Sequence, residues 1–223
     1  MFAVALQHDG KIVVVGSDCG GNFRSPFIVA RFTNRGSIDR GFGNGGKVTT
    51  VLGLDSRASA VAIRADGKIV VAGTVALANS RPRLGLARYL ASGELDPNFG
   101  TEGTVLSDFA GSSPALLIQP DGRIVVACGL EGPRRFGVAR YDVDGAVDPT
   151  FGEDGEVRTQ FRAGSAAQAV ARQRDGKIVA AGGAGGDFAV ARYTAVGTLD
   201  QSFGGDGRVT TPLGPEWRRR GGH

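Results

Sequence analysis

The sequence predicts an all-β propeller of four four-stranded antiparallel blades, possibly part of a larger propeller, and three observations carry the prediction. First, the phrase LQHDGKIVVVG from Leu6 returns as IRADGKIVVAG from Ile63, IQPDGRIVVAC from Ile118 and RQRDGKIVAAG from Arg172. Its Asp falls at 9, 66, 121 and 175, so the intervals are 57, 55 and 54 residues. A hairpin repeated at such a period marks a blade or a solenoid coil. Second, the strand after each Asp-Gly is apolar at every position, so it needs cover on both faces. Third, no window shows helical periodicity. Face-to-face blades satisfy all three. A β-helix coil would use about half this period, and a sandwich would not repeat four times.

The elements follow in order. Asp-Gly predicts a two-residue hairpin with φ > 0 at both central positions. The first strand is expected at Ala3–Gln7, Ala60–Arg64, Ala115–Gln119 and Ala169–Gln173. The second is expected at Lys11–Val15, Lys68–Ala72, Arg123–Ala127 and Lys177–Ala181. The third strand reads FIVARF, LGLARY, FGVARY and FAVARY, from Phe27, Leu84, Phe136 and Phe188. The fourth, rich in Val and Thr, is expected at Lys47–Leu52, Thr104–Ser107, Glu156–Gln160 and Arg208–Thr211. The propeller thus occupies residues 1–213, with repeats at about 2–52, 60–107, 115–160 and 169–211, and 214–223 form a basic C-terminal tail. The chain starts on a first strand and stops after a fourth, so a closed ring requires the first and last units to pack face to face.

A second phrase separates the third and fourth strands: SIDRGFGNGGKV, ELDPNFGTEGTV, AVDPTFGEDGEV and TLDQSFGGDGRV. With LDPNFG, DGKIVVAG and LARY in fixed order, the chain resembles the delta-60 repeat family, a bacterial β-propeller repeat, over residues 2 to 213. Arg40-Gly41 departs from the usual Pro-x before Phe42, and Cys128 stands where the other copies carry Gly. The resemblance implies a propeller often found in secreted or surface-attached proteins, and no established reaction. Residues 1 to 16 do not read as a signal peptide, so such a location implies a truncated N-terminus.

Composition excludes several classes. The net charge is +4, and Arg218, Arg219 and Arg220 against Glu216 supply two of it, leaving about +2 for the body. That is too little to coat a nucleic acid. No apolar run approaches a membrane span of about 18 residues. Cys19 and Cys128 give no disulfide scaffold and read as free thiols. The histidines are His8, in a turn, and His223, at the terminus, so a metal centre has no material, and with no G-x-S-x-G motif His8 is the sole credible base for a nucleophile. Gly41–Lys47 fits part of a phosphate loop, but Val48 replaces the Mg²⁺-binding hydroxyl and the segment enters a strand. Asp142–Gly145 lacks the downstream ligands of a calcium loop. No cofactor and no metal are expected.

Residues present in every copy read as architecture, and residues peculiar to one copy are free for function. Arg31, Arg88, Arg140 and Arg192 precede Asp39, Asp96, Asp148 and Asp200 by eight residues each, which suggests a bidentate bridge within each blade. The Asp-Gly and Phe-Gly turns share one face of the ring. The opposite face receives loops of variable length carrying Arg24, Arg57, Arg81, Arg83, Arg134, Arg135 and Arg162, and is net basic. The expectation is therefore a non-catalytic binding or scaffold module, not an enzyme, whose basic face takes a protein or an anionic glycan. Two alternatives stand beside it. One is a carbohydrate-active hydrolase or lyase at the central channel, against which Gln7, Arg64, Gln119 and Gln173 on the inner strands argue. The other is an assembly unit whose open end blades pair two chains into a larger ring.

Overall fold

A computed structural model describes residues 3–17, 25–78, 80–109, 111–130, 134–161 and 164–213. Blade 1 consists of β1 (Ala3–Leu6), β2 (Ile12–Ser17), β3 (Phe27–Phe32) and β4 (Lys47–Thr50). Blade 2 consists of β5 (Asp55–Ile63), β6 (Ile69–Ala76), β7 (Arg83–Tyr89) and β8 (Thr104–Ser107). Blade 3 consists of β9 (Gly111–Ile118), β10 (Ile124–Leu130), β11 (Arg135–Tyr141) and β12 (Glu156–Thr159). Blade 4 consists of β13 (Ser165–Arg172), β14 (Ile178–Ala184), β15 (Asp187–Tyr193) and β16 (Arg208–Thr211). Each blade is its own four-stranded antiparallel sheet in chain order. The first strands of successive blades lie side by side and form the inner wall.

The Asp-Gly turn differs from the two-residue form expected. Only the glycines take positive φ, at 81°, 82°, 87° and 91° for Gly10, Gly67, Gly122 and Gly176. The Gly10 N–H donates to the Gln7 carbonyl at 2.9 Å and the Gln7 N–H to the Lys11 carbonyl at 2.8 Å. This is a three-residue loop, a type I turn followed by a left-handed glycine. The Asp contributes its acceptor instead. Asp9 Oδ1 takes the Lys11 N–H at 3.1 Å, and Asp66, Asp121 and Asp175 do the same to Lys68, Arg123 and Lys177.

Hydrophobic burial joins the blades, and each joint has the same composition. Val13, Val15, Phe27 and Phe42 of blade 1 meet Ile69, Val71 and Tyr89 of blade 2. Val70, Ala72, Leu84 and Phe99 meet Ile124, Val126, Cys128 and Tyr141. Val125, Ala127, Phe136 and Phe151 meet Ile178, Ala180 and Tyr193. Alternate residues of each second strand thus face opposite neighbours, which is why that strand is apolar throughout. The departure at Cys128 has a packing reason. A Cβ on Gly73 would lie 2.3 Å from the Arg57 carbonyl oxygen and 2.6 Å from the Phe27 ring, and one on Gly182 would lie 2.0 Å from the Ala166 carbonyl oxygen, so the bulged first strand, and in blade 2 the facing phenylalanine, leave room only for glycine. Blade 2 has the smaller Leu84 at the place of Phe27, and the Cys128 thiol occupies the same buried cluster. That thiol is free, and burial pushes its pKa up to about 12.

Polar bonds hold the joints in register. Tyr89 shares a hydrogen bond with Thr50 at 2.7 Å, Tyr141 donates to Ser107 at 2.7 Å, and Tyr193 pairs with Thr159 at 2.7 Å. The N–H groups of Gly43, Gly100 and Gly152 donate to the carbonyls of Ser92, Asp144 and Val196 in the following blade.

Blades 1 and 4 do not form a fourth such joint, contrary to the face-to-face closure expected. Phe188 is 60% exposed, whereas its counterparts Phe27, Leu84 and Phe136 are at 0%, 1% and 0%. Val179 and Ala181 on blade 4, and Ile12, Val14 and Phe32 on blade 1, are only half-buried. The array is an open arc. Accordingly, Phe136→Ala should cost about 3–5 kcal/mol, while Phe188→Ala should change stability by no more than about 0.5 kcal/mol. Urea unfolding of the two variants checks this, and equal losses would mean that the blade 4 face is covered.

Candidate functional site

The repeated charges form a lattice on the Asp-Gly side of the ring. Arg31, Arg88, Arg140 and Arg192 each donate through Nε to Oδ2 of Asp39, Asp96, Asp148 and Asp200, at 2.8, 2.7, 2.6 and 2.7 Å. The contact is single rather than bidentate, and in three of the four the Nη1 nitrogen leaves the blade, while Arg192 Nη2 donates to Ser202 Oγ at 3.0 Å within its own blade. Arg31 Nη1 donates to the Ala91 carbonyl at 2.6 Å, Arg88 Nη1 to Val143, and Arg140 Nη1 to Ala195 at 2.6 Å. Each guanidinium also covers the Phe of its own Phe-Gly turn at 4.6–4.7 Å. The base that follows Asp-Gly completes the cluster: Lys11, Lys68, Arg123 and Lys177 reach the same four aspartates at 3.4, 2.8, 3.3 and 3.0 Å. The sequence signal for this second cation was the basic residue kept in all four turns. These residues are engaged with one another, and three of the four arginines also clamp their blade to the next.

The basic loop face is less basic than its sequence. Arg57 lies within β5, not in a connection, and donates to Asp55 at 3.0 Å. Arg83 heads β7 and pairs with Asp108 at 2.6 Å. The Arg134 carbonyl accepts from the Ser165 N–H at 3.0 Å. Arg135 begins β11, and its buried Nε has no hydrogen-bond partner among the described residues. Arg81 lies in the loop before β7. Arg24 and Arg162, like Cys19 and the 214–223 tail, lie outside the described residues. The structure does not gather these seven arginines into one site.

The inner strands hold the feature that sequence reasoning missed. β5, β9 and β13 start several residues earlier than expected, and each carries a bulge at the same height. The register slips between Ala58 and Ala60, between Ser112 and Ala115, and between Ala167 and Ala169. Bulges re-aim side chains, and here the extra residues are Ser59, Ser113 with Pro114, and Gln168. All of them line one cavity of about 320 Å³, together with Ala3 from blade 1. Ser59 Oγ donates to the Pro114 carbonyl at 3.1 Å, and the Ser113 N–H donates to Thr74 Oγ1 at 3.1 Å. Ser113 holds a left-handed φ of 51°, which for a residue other than glycine is a strained position of the kind found at functional sites. The break in alternation at Ala-Ser-Ala, Ser-Pro-Ala and Ala-Gln-Ala was the available signal. Larger crevices of about 550, 680 and 850 Å³ lie at the rim between a fourth strand and the next blade's turn. Because they recur at each joint, they are architecture.

Carboxylates are sparse on this wall. Among the described residues of the inner strands only Asp55 carries one, and its Oδ1 is buried without a hydrogen-bond partner. Gln7 and Gln119 likewise hold buried, unpartnered Oε1 atoms at the Asp-Gly end of β1 and β9. No cluster of His, Cys, Asp and Glu suited to a metal occurs among the described residues, and no helix there is long and apolar enough to cross a membrane.

Four repeated blades around an inner wall define a β-propeller repeat protein. The chain belongs to the β-propeller family described as a domain of unknown function, DUF5122, which matches residues 7–42, 64–99, 119–151 and 173–203, more than half its length. No curated protein matches it in sequence. Among solved structures it is similar to a GH43 β-1,3-galactosidase, with a TM-score of 0.50 and 13% identity over 94% of this chain and 44% of that one. An α-L-arabinofuranosidase from Clostridium thermocellum aligns with a TM-score of 0.47 and 11% identity, over 94% of this chain and 70% of that one. The chain thus spans less than half the galactosidase's length, and at these identities the likeness is one of fold. It corrects the expectation of a non-catalytic module that is not an enzyme. The fold is one shared with a glycoside hydrolase, so it lends the scaffold reading no support.

The charge lattice generates a pH prediction. Burial raises the pKa of Asp96, but the Lys68 ammonium, the Asn98 N–H and Arg88 outweigh it, so the carboxyl ends below its ordinary value. Asp148 is lowered in the same way, against burial, by Thr150 and Arg140, and Asp200 by the Ser202 hydroxyl and Lys177. Depressed carboxylates add stability that is present above their unfolded pKa of about 4 and is lost as pH falls toward the folded values. Thermal melts should therefore hold from neutral pH to about 5 and drop steeply below about 4. Asp96→Asn should melt lower at pH 7 and show a shallower acid slope.

Proposed function

We propose that this chain is a carbohydrate-active propeller that takes a glycan at the inner-strand cavity, as part of a hydrolase or lyase. The observation that carries the reading is the set of three bulges, which turn unrepeated polar residues toward one cavity. Sugars are bound by groups that both donate and accept, and the hydroxyls of Ser59 and Ser113 and the amide of Gln168 are such groups. The fold shared with the galactosidase supports the same substrate class. Most glycoside hydrolases act with two carboxyl groups about 5–10 Å apart. Asp55 is the inner-strand candidate for one of them, so the second must come from outside the described inner strands. Bond cleavage is then a property of a more complete ring, while binding belongs to this wall. We further read the repeats as delta-60 in type, on LDPNFG, DGKIVVAG and LARY, and a secreted or surface location as the setting this resemblance implies.

The test is calorimetric titration with galacto-, arabino- and xylo-oligosaccharides, alongside assays for reducing-sugar release and for unsaturated products. At least one series should bind, and Ser113→Ala and Gln168→Ala should each weaken binding about 3- to 10-fold, the worth of one hydrogen bond. Arg81→Glu, on the loop face, should leave it unchanged. Absence of binding by the parent chain to every series would sink the reading, as would sensitivity to Arg81→Glu without sensitivity at the bulges.

A further inference from the structure

The two ends of the arc are unmatched halves of the joint that the chain builds three times. We infer that a single further blade of the same repeat type docks in the wedge between blade 4 and blade 1 and presents a tyrosine to Thr211. This inference is independent of the glycan reading.

The forward half of the joint is complete on blade 4 and unused. Phe188, Val179 and Ala181 stand where residues buried in blades 1–3 stand, and Phe188 is 60% exposed. Thr211 is exposed, while its counterparts Thr50, Ser107 and Thr159 are buried against tyrosine hydroxyls. Arg192 keeps its bonds to Asp200 and Ser202, but among the described residues no carbonyl of another blade accepts from it, unlike Arg31, Arg88 and Arg140. The backward half, on blade 1, consists of the half-buried Ile12, Val14 and Phe32. The three existing joints therefore specify what covers blade 4. It is a second strand apolar on both faces, a small residue opposite Phe188, as Gly73 is opposite Phe27, and a third strand ending in tyrosine.

Two observations set the size of the occupant at one blade. Ala3 of blade 1 and Gln168 of blade 4 border the same cavity of about 320 Å³, so the four blades already wrap a narrow axis. A second four-bladed copy would set Phe32, which has no hydroxyl, against Thr211. In addition, Thr210-Thr211-Pro212-Leu213-Gly214 repeats Thr49-Thr50-Val51-Leu52-Gly53, the connector that leads from β4 into blade 2.

The experiment places a thiol at the open face through Phe188→Cys in a Cys19→Ser background, with the buried Cys128 as the unreactive reference. In the full chain that thiol should react freely with a maleimide. Inserting a copy of residues 54–109 after Gly214, the rest of the chain retained, should slow the reaction at least about tenfold, with the mass by light scattering still that of one chain. Replacing the inserted blade's tyrosine by phenylalanine should restore part of the rate. A second insertion, a copy of residues 164–213, guards against a single design that folds poorly. Unchanged labelling in both insertions would overturn the inference. So would protection in the unmodified chain together with a doubled mass, which would make the occupant a second copy.

Discussion

Everything in this molecule depends on the joint between blades. A four-stranded sheet whose second strand reads Ile-Val-Val-Val or Ile-Val-Val-Ala cannot satisfy that strand alone, because both of its faces are apolar. At about 25 cal/mol per Å² of apolar area removed from water, a neighbour on each side is the main source of stability. Burial is non-directional, however, and would let blades slide on one another. The Thr/Ser–Tyr bond, the glycine N–H to the next blade's carbonyl, and the arginine that binds its own aspartate while reaching across the joint all supply direction. Removing one partner of such a buried bond costs more than the bond's net worth, since the other group is left unsatisfied. The joint is therefore strong through its hydrophobes and specific through its polar groups.

This division explains what could be read from the sequence. Strand number, blade count and order followed from the DGKIVVAG and LDPNFG phrases, because an array states the same local requirement four times. Long-range partners did not follow. The spacing of Arg88 and Asp96 revealed that they pair, but not that the remaining guanidinium nitrogen crosses to Val143, a contact invisible without the fold. Arg57 looked like a loop cation because the bulge at Ser59 disguises the start of β5, where period-2 alternation breaks for one residue. The type of the Asp-Gly turn was misread for a similar reason. Asp-Gly fits two loop lengths, and the choice lies in a Gln7 to Lys11 backbone bond that the dipeptide does not encode.

Repeated arginines and aspartates proved to be occupied with one another, so function had to be sought among unrepeated residues. The loops of the variable face were one such set, but Asp55 and Asp108 neutralise two of their arginines. The inner strands were the other, and there a one-residue insertion places serine or glutamine where a regular strand would continue its ladder. An extra residue in three blades at one height costs ladder hydrogen bonds each time. Its recurrence without a fixed residue type is the pattern expected when the backbone device is architectural and the side chains it presents are free to match a ligand.

Phe32 bears on both the arc and the chemistry. Tyrosine ends the third strand in blades 2, 3 and 4, where a preceding blade offers Thr50, Ser107 or Thr159 as partner. Blade 1 has phenylalanine at that place, so a blade before it owes no hydroxyl, whereas Thr211 at the other end has, among the described residues, no tyrosine of the kind that Thr50, Ser107 and Thr159 meet. The two ends are thus chemically distinct. A wedge bounded by distinct ends admits a filling blade in one orientation only, with its own inner strand facing the cavity of Ser59, Ser113 and Gln168. The cavity itself presents the hydroxyls of Ser59 and Ser113 and the amide of Gln168, and Asp55 is not among the residues that line it. On the glycan reading proposed above, these groups would hold a sugar, and the carboxylates that cleave its bond would have to come from other strands.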